Sequence, residues 1–275
     1  MLASRRVRAA AGFSAIAVTQ TSHSLRGGSA GIPSAAMSGT DISGILEGWP
    51  YQSGRLQVRL ERPEGGVAYL QIRLEMGLVQ MRLDGRPDGR SVGAEGTVLA
   101  QALSSEDPLS TEACQALRDE AAQFHQRSSA LYAVEHFEGA AEDAQRSLES
   151  ARLMRDRAVR AEDRGMAAGP IGPLLVLRTR ARAARAVAGR DPRGAAAEID
   201  VGLAELRAHF VERGQGAAFE RSGEFAVMRA MRDMLVPRLP ASQRSELEDR
   251  LRSAVAAENY ELAAILRNEL RQIRD

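Results

Sequence analysis

Between residues 41 and 92 the hydrophobic positions alternate along the chain. Leu56, Val58 and Leu60 take turns with Gln57, Arg59 and Glu61; after the turn residues "RPEGG", Leu70, Ile72 and Leu74 take turns with Tyr69, Gln71 and Arg73. Period two is the side-chain repeat of a half-buried strand. Past Gly77 the parity changes and Val79, Met81 and Leu83 become the apolar set, as a turn or bulge at a glycine produces. The pattern predicts three short antiparallel strands with one buried face. They follow "DISGILEGWPY", which carries the only tryptophan, Trp49.

From about Ser110 the repeat becomes helical. Breakers divide it at "RGMAAGPIGP", "GRDPRG", "RGQG" and "PRLP", which leaves helices over residues 111–136, 138–163, 174–189, 193–212, 219–235, 241–256 and 259–274. Asp191 before Pro192 is a start signal, because a carboxylate caps free N–H groups and proline suits a first turn. The expected fold class is α+β: a small antiparallel β unit at 39–100, a mostly α bundle at 110–236 and a helical hairpin at 241–275. Residues 1–38, rich in Arg, Ser, Ala and Gly and free of acids, read as a disordered leader or an upstream start codon with Met37 the true one; signal- and transit-peptide readings are weaker.

Two stretches of the helical region share a design, "SALYAVEHFEGAAEDAQRSLE" and "RARAARAVAGRDPRGAAAEIDVGLAEL". In each, small residues end one helix, a turn follows, and alanines (Ala140 and Ala144; Ala186 and Ala195) precede a Leu-bearing second helix. This resembles tetratricopeptide-type hairpins, an architecture that binds peptides and proteins more often than it catalyses, although the 34-residue period is not kept.

Composition removes several chemistries. All 37 basic residues besides histidine are arginine, so P-loop, Schiff-base and Ser-Lys mechanisms are excluded. Four arginines precede the first acid, Asp41, and the other 33 face 36 acids, so the body is slightly acidic and not a general nucleic-acid coat. Cys114 is alone, which forbids an internal disulfide and fits a reducing, cytoplasmic setting. No run is long enough to span a bilayer.

Candidate chemistry is sparse. His23, His125, His136 and His209 form no ligand pair at helical spacing, and neither a cofactor motif nor a nucleophile motif is present. The loop "LDGRPDGR" at 83–90 has the residues a turn demands, with an enzyme site around Asp84 and Asp88 as the lesser reading. Arg178, Arg182 and Arg185 stripe one helix face and are the candidate nucleic-acid contacts.

The last segment carries the most specific signal. Ser242 can cap a helix in which Leu247, Leu251 and Ala254 recur at helical spacing; Leu262, Leu266, Leu270 and Ile273 form an arc on the next helix, and Tyr260, Ala264 and Ile265 widen its apolar surface. Two such helices fall below the ~40 residues at which a domain sustains its own core. Leu247, Leu251, Ala254, the turn Glu258–Asn259, then Tyr260, Glu261, Ala263, Ala264, Arg267 and Leu270 resemble the UVR motif. That motif is the hairpin of the excision-repair proteins UvrB and UvrC, also found in adaptor-type proteins of the Clp ATPase stress system. The resemblance implies a protein–protein contact, with a like hairpin on the partner or a second copy, through Leu247, Leu251, Tyr260, Glu261, Ala263, Ala264, Arg267 and Leu270. Asn268 stands where the family commonly has Asp. The order "ILEGWPY", "GLVQMRLDGRPDG", helical hairpins and terminal motif also resembles a group of uncharacterised bacterial proteins. The expectation is a non-enzymatic adaptor without a cofactor, with a nucleic-acid-binding accessory protein as the alternative.

Overall fold

A computed structural model describes residues 41–235, 243–256 and 259–272. The leader at 1–38, the "PRLP" breaker, the Ser242 cap, Glu258, Ile273 and the side chain of Glu261 lie outside the described residues. The chain forms two units, one up to Asp233 and one from Met234.

The first unit opens with a short helix, α1 (Ser43–Gly48), and a meander of β1 (Gln57–Glu61), β2 (Tyr69–Leu74) and β3 (Gly77–Arg82) in the order β1-β2-β3. The alternation sets the register: Val58 faces Ile72, Leu70 faces Met81, and Ile72 faces Val79. The change of parity at Gly77 is the tight turn between β2 and β3. Val58, Leu70, Ile72 and Met81 form the buried inner face, and their core is completed by Ala130, Leu131, Val134 and Ala140 from the helices that follow. The sheet therefore has no core of its own.

The expectation of a single buried face needs correcting. Gln57, Gln71 and Arg73 on the opposite face are buried too. The segment after α1 covers them by satisfying their polar groups: Arg73 Nε donates to Trp49 O at 2.7 Å and Gln57 Nε2 to Pro50 O at 3.0 Å. Arg59 lies 4.3 Å over the Trp49 ring and donates to Gln71 Oε1, which continues to Gln80. Alternation marks which residues share a face; it says nothing of a polar face buried through hydrogen bonds.

After α2 (Val98–Leu103) come α3 (Thr111–Ala133), α4 (Phe137–Arg157), α5 (Ala161–Ala168), α6 (Ile171–Ala188), α7 (Pro192–Glu212) and α8 (Gly223–Leu235). α3 packs on α4, α4 on α6 and α6 on α7, and α5 lies against α4. The helix expected over 138–163 is broken at Ala158, where the backbone turns extended and pairs in parallel with Leu109. Leu109 N–H donates to Arg157 O and Val159 N–H to Leu109 O, a non-local interruption without a local breaker. The helix expected from 174 begins at Ile171, since Pro173 fits a first turn. The one expected from 219 begins at Gly223 under a Ser222 cap, after a 3₁₀ turn that buries Phe219.

The two matched hairpins close with the same corner, 55 positions apart. Glu135 and Arg190 both take left-handed backbone, φ 61° and 60°. His136 and Asp191 then donate N–H back to Leu131 O and Ala186 O, each at 2.9 Å. Their side chains cap the next helix by accepting from Gly139 N–H and Gly194 N–H. Ala140 and Ala195, four residues after each cap, are fully buried where the helices meet. The spacing exceeds the 34 residues of a tetratricopeptide repeat because α5 lies between the hairpins. Further along, α6 and α7 touch at Thr179 and Gly202, where a Cβ on the glycine would stand 2.2 Å from Thr179 Oγ1.

Charged groups tie these pieces together. Arg127 is buried in α3 and grips Asp143 of α4 with Nε and one terminal nitrogen, at 2.6 and 2.8 Å. Its other terminal nitrogen donates to Arg82 O and Gly85 O at 2.6 and 3.0 Å, which fastens the 83–90 loop. Arg86 in that loop pairs with Asp88 and with the buried carboxylate of Glu120. Glu120 in turn accepts from Val98 and Leu99 N–H and so caps α2 from a distance. The Arg86 guanidinium beside Asp88 holds its carboxyl down at about 2.

His209, in the last turn of α7, is 8% exposed and its Nδ1 has no hydrogen-bond partner among the described residues. Burial, then the charges of Arg213, Arg155 and Arg152, push its pKa below the ordinary imidazole value of 6.5, against the pull of Glu212. The folded value lies below the unfolded one, so the neutral ring contributes its full stability above pH 6.5 and loses it as pH falls through the folded pKa. Urea midpoints should drop on acidification below that point, and the drop should shrink in His209→Phe. An equal drop in both proteins would refute this.

A C-terminal hairpin as the candidate partner-binding site

The second unit holds α9 (Gln243–Ala256) and α10 (Tyr260–Gln272). Asn259 makes the corner in the manner of His136 and Asp191. Its N–H donates to Ala254 O at 2.9 Å, its Oδ1 accepts from Leu262 N–H at 3.1 Å, and its carbonyl accepts from Ala263 N–H. Ala263, four residues after the cap, is buried as Ala140 and Ala195 are.

The seam consists of Leu247, Ala254, Ala263 and Leu266, with Leu251 and Leu270 partly buried beside it. This sorts the expected contact residues into two sets. Leu247, Leu251, Ala263 and Leu270 hold the hairpin closed, and Ala263 admits its own α9. Tyr260, Ala264 and Arg267 point outward, with Tyr260 68% exposed. Spacings of four and three put those three on one flank of α10.

A second outward flank was not separated by the sequence pattern. Leu262 and Ile265, three residues apart, are 42% and 56% exposed. A shallow groove runs beside Leu262, lined by Asp249, Arg250, Ser253, Ala254 and Asn259. The arc drawn through Leu262, Leu266 and Leu270 mixed this flank with the seam; the seam follows Ala263, Leu266 and Leu270. Asp249 pairs with Arg252 on exposed surface, which contributes little to stability.

The arginine stripe is ion-paired along its length. Arg178 is 4% exposed and donates to Gln145 and Glu205 at 2.8 and 2.5 Å. Arg185 meets Glu138 at 3.1 Å, and Arg182 stands 3.8 Å from Glu198. An acid neutralises each member, and the inner one is unavailable to a polyanion. Around the 83–90 loop, Asp88 is occupied by Arg86, Arg90 N–H and Gln123. Among the described residues no cluster of three or more His, Cys, Asp or Glu could hold a metal ion, and no helix is long and apolar enough to cross a membrane.

No curated protein and no solved structure matches the chain. A family model does match, that of the UvrB/uvrC motif, over residues 242–275. The match covers both helices, the Asn259 corner and the two exposed flanks, and nothing of the first unit. What the comparison shows is a likeness of the C-terminal hairpin to the UvrB/uvrC motif.

Proposed function

We propose that the protein is a non-enzymatic adaptor that binds a protein partner through its C-terminal hairpin, in UvrABC-type excision repair or a Clp-type stress system in the cytoplasm. One observation carries the reading: the hairpin uses its small and leucine residues to close its own seam and leaves Tyr260, Leu262 and Ile265 on the surface. Large apolar side chains exposed on an element too small for a core of its own mark an interaction surface. The nucleic-acid reading has less support, since the stripe it needs is ion-paired. The enzyme reading has less support too, since Asp88, one of its two candidate acids, is held in a structural pair with Arg86.

The test is a titration against a purified UvrB- or UvrC-type hairpin. The full chain should bind, a chain ending at Pro240 should not, and Leu262→Asp with Tyr260→Ala should weaken binding by roughly tenfold or more, the loss of one interface anchor. Equal binding by the full and the shortened chain would sink the reading.

A further inference from the structure

The 55-residue correspondence extends beyond the corners. It maps Arg127 onto Arg182 and Asp143 onto Glu198, so each hairpin has an arginine on its first helix paired with an acid on its second. The two copies differ in what they hold. Arg127 and Asp143 are closed in, their side chains 2% exposed, because the glycine turn of the 83–90 loop sits on them. The carbonyls of Arg82, where β3 ends, and of Gly85 in the loop accept from the donors that Asp143 leaves spare, and Gly85 has the left-handed φ of 66° that brings the turn close.

Arg182 and Glu198 are 35% and 36% exposed and 3.8 Å apart, and Arg182 makes no hydrogen bond to a described residue. Its neighbours on the stripe are committed, Arg178 to Gln145 and Glu205 and Arg185 to Glu138. At the position that corresponds to Arg146, which braces Asp143, stands Val201, an apolar side chain 51% exposed. We propose that Arg182, Glu198 and Val201 form a second docking site, independent of the C-terminal hairpin, for a glycine turn of a partner protein that presents backbone carbonyls.

Charge selects that ligand class. Each arginine of the stripe is matched by an acid, Glu138 on α4 and Glu198 and Glu205 on α7, so its charge is already met and an anionic ligand gains little. A neutral carbonyl needs no net charge, and a planar guanidinium offers several N–H donors in a fixed fork to take two at once. Val201 supplies apolar contact at the rim, where the first copy has a third charge.

The probe is a cyclised peptide with the sequence of residues 82–90, added to the full chain while the arginine Nε–H resonances are followed by NMR. The Arg182 signal should shift saturably and the enclosed Arg127 signal should stay. Arg182→Lys keeps the charge without the fork and should weaken binding by about tenfold, as should Val201→Asp, with thermal midpoints within about 2 °C of the parent. No saturable shift up to millimolar peptide, a shift at Arg127 instead, or equal binding by Arg182→Lys would each overturn the proposal.

Discussion

Arg127→Ala should lower the stability of the first unit by about 3–5 kcal/mol, the usual cost of leaving a buried charge unpaired. Three losses coincide. The Asp143 carboxylate, 2% exposed, would keep only Arg146. Arg82 O and Gly85 O would lose the donor that fastens the 83–90 loop. The guanidinium also lies 5.2 Å over the Phe124 ring, so packing goes with charge. Thermal unfolding should fall by roughly 10 °C or more for a unit of this size. Arg127→Met combined with Asp143→Leu should recover much of the loss, because an apolar pair carries no desolvation penalty. A midpoint within about 2 °C of the parent for the alanine variant would show that the pair is not a keystone.

Gly202→Ala offers a contest whose sign can be settled in advance. Alanine is the better helix former by about 1 kcal/mol, and on an open face the change would stabilise α7. Here the new methyl would stand 2.2 Å from Thr179 Oγ1 and 2.7 Å from its Cγ2. Thr179 is 1% exposed and β-branched, so it has nowhere to rotate, and overpacking costs about 1–3 kcal/mol or more. The clash should win and the variant should unfold earlier. Thr179→Ala in the same chain should restore or exceed the parent midpoint by clearing the space and leaving the propensity gain. A single variant as stable as the parent would mean that α6 and α7 separate easily.

The strands, most helices and the C-terminal hairpin were legible because their signals are local. Alternation at 56–60, 70–74 and 79–83 needs no neighbour to be read. Nor does the Asp191–Pro192 start. What escaped depends on distant partners. The break at Ala158 exists because Leu109 pairs with it, and α2 begins where Glu120, more than twenty residues away, accepts its first N–H groups. Nothing local in the sequence marks Arg127, whose burial comes from Asp143 and the loop closing over it in the fold. At the hairpin the register of the motif was readable, but the division of its residues was not. Whether an apolar side chain closes the seam or faces outward depends on where α9 lies around α10, and a single-helix arc misplaced Leu262. The sequence signal for Ala263 is its place four residues after its cap, the spacing of Ala140 and Ala195.

That shared corner has an evolutionary consequence. Three hairpins turn at a residue that donates its N–H five positions back and caps the next helix, and each buries a small residue four positions later, so Ala140, Ala195 and Ala263 answer to the chain's own packing. Descendants of this sequence should hold those positions to Ala, Gly or Ser while Tyr260, Leu262 and Ile265 drift together with whatever they touch. The tempo of change would then separate, residue by residue, what builds the hairpin from what it is built to meet.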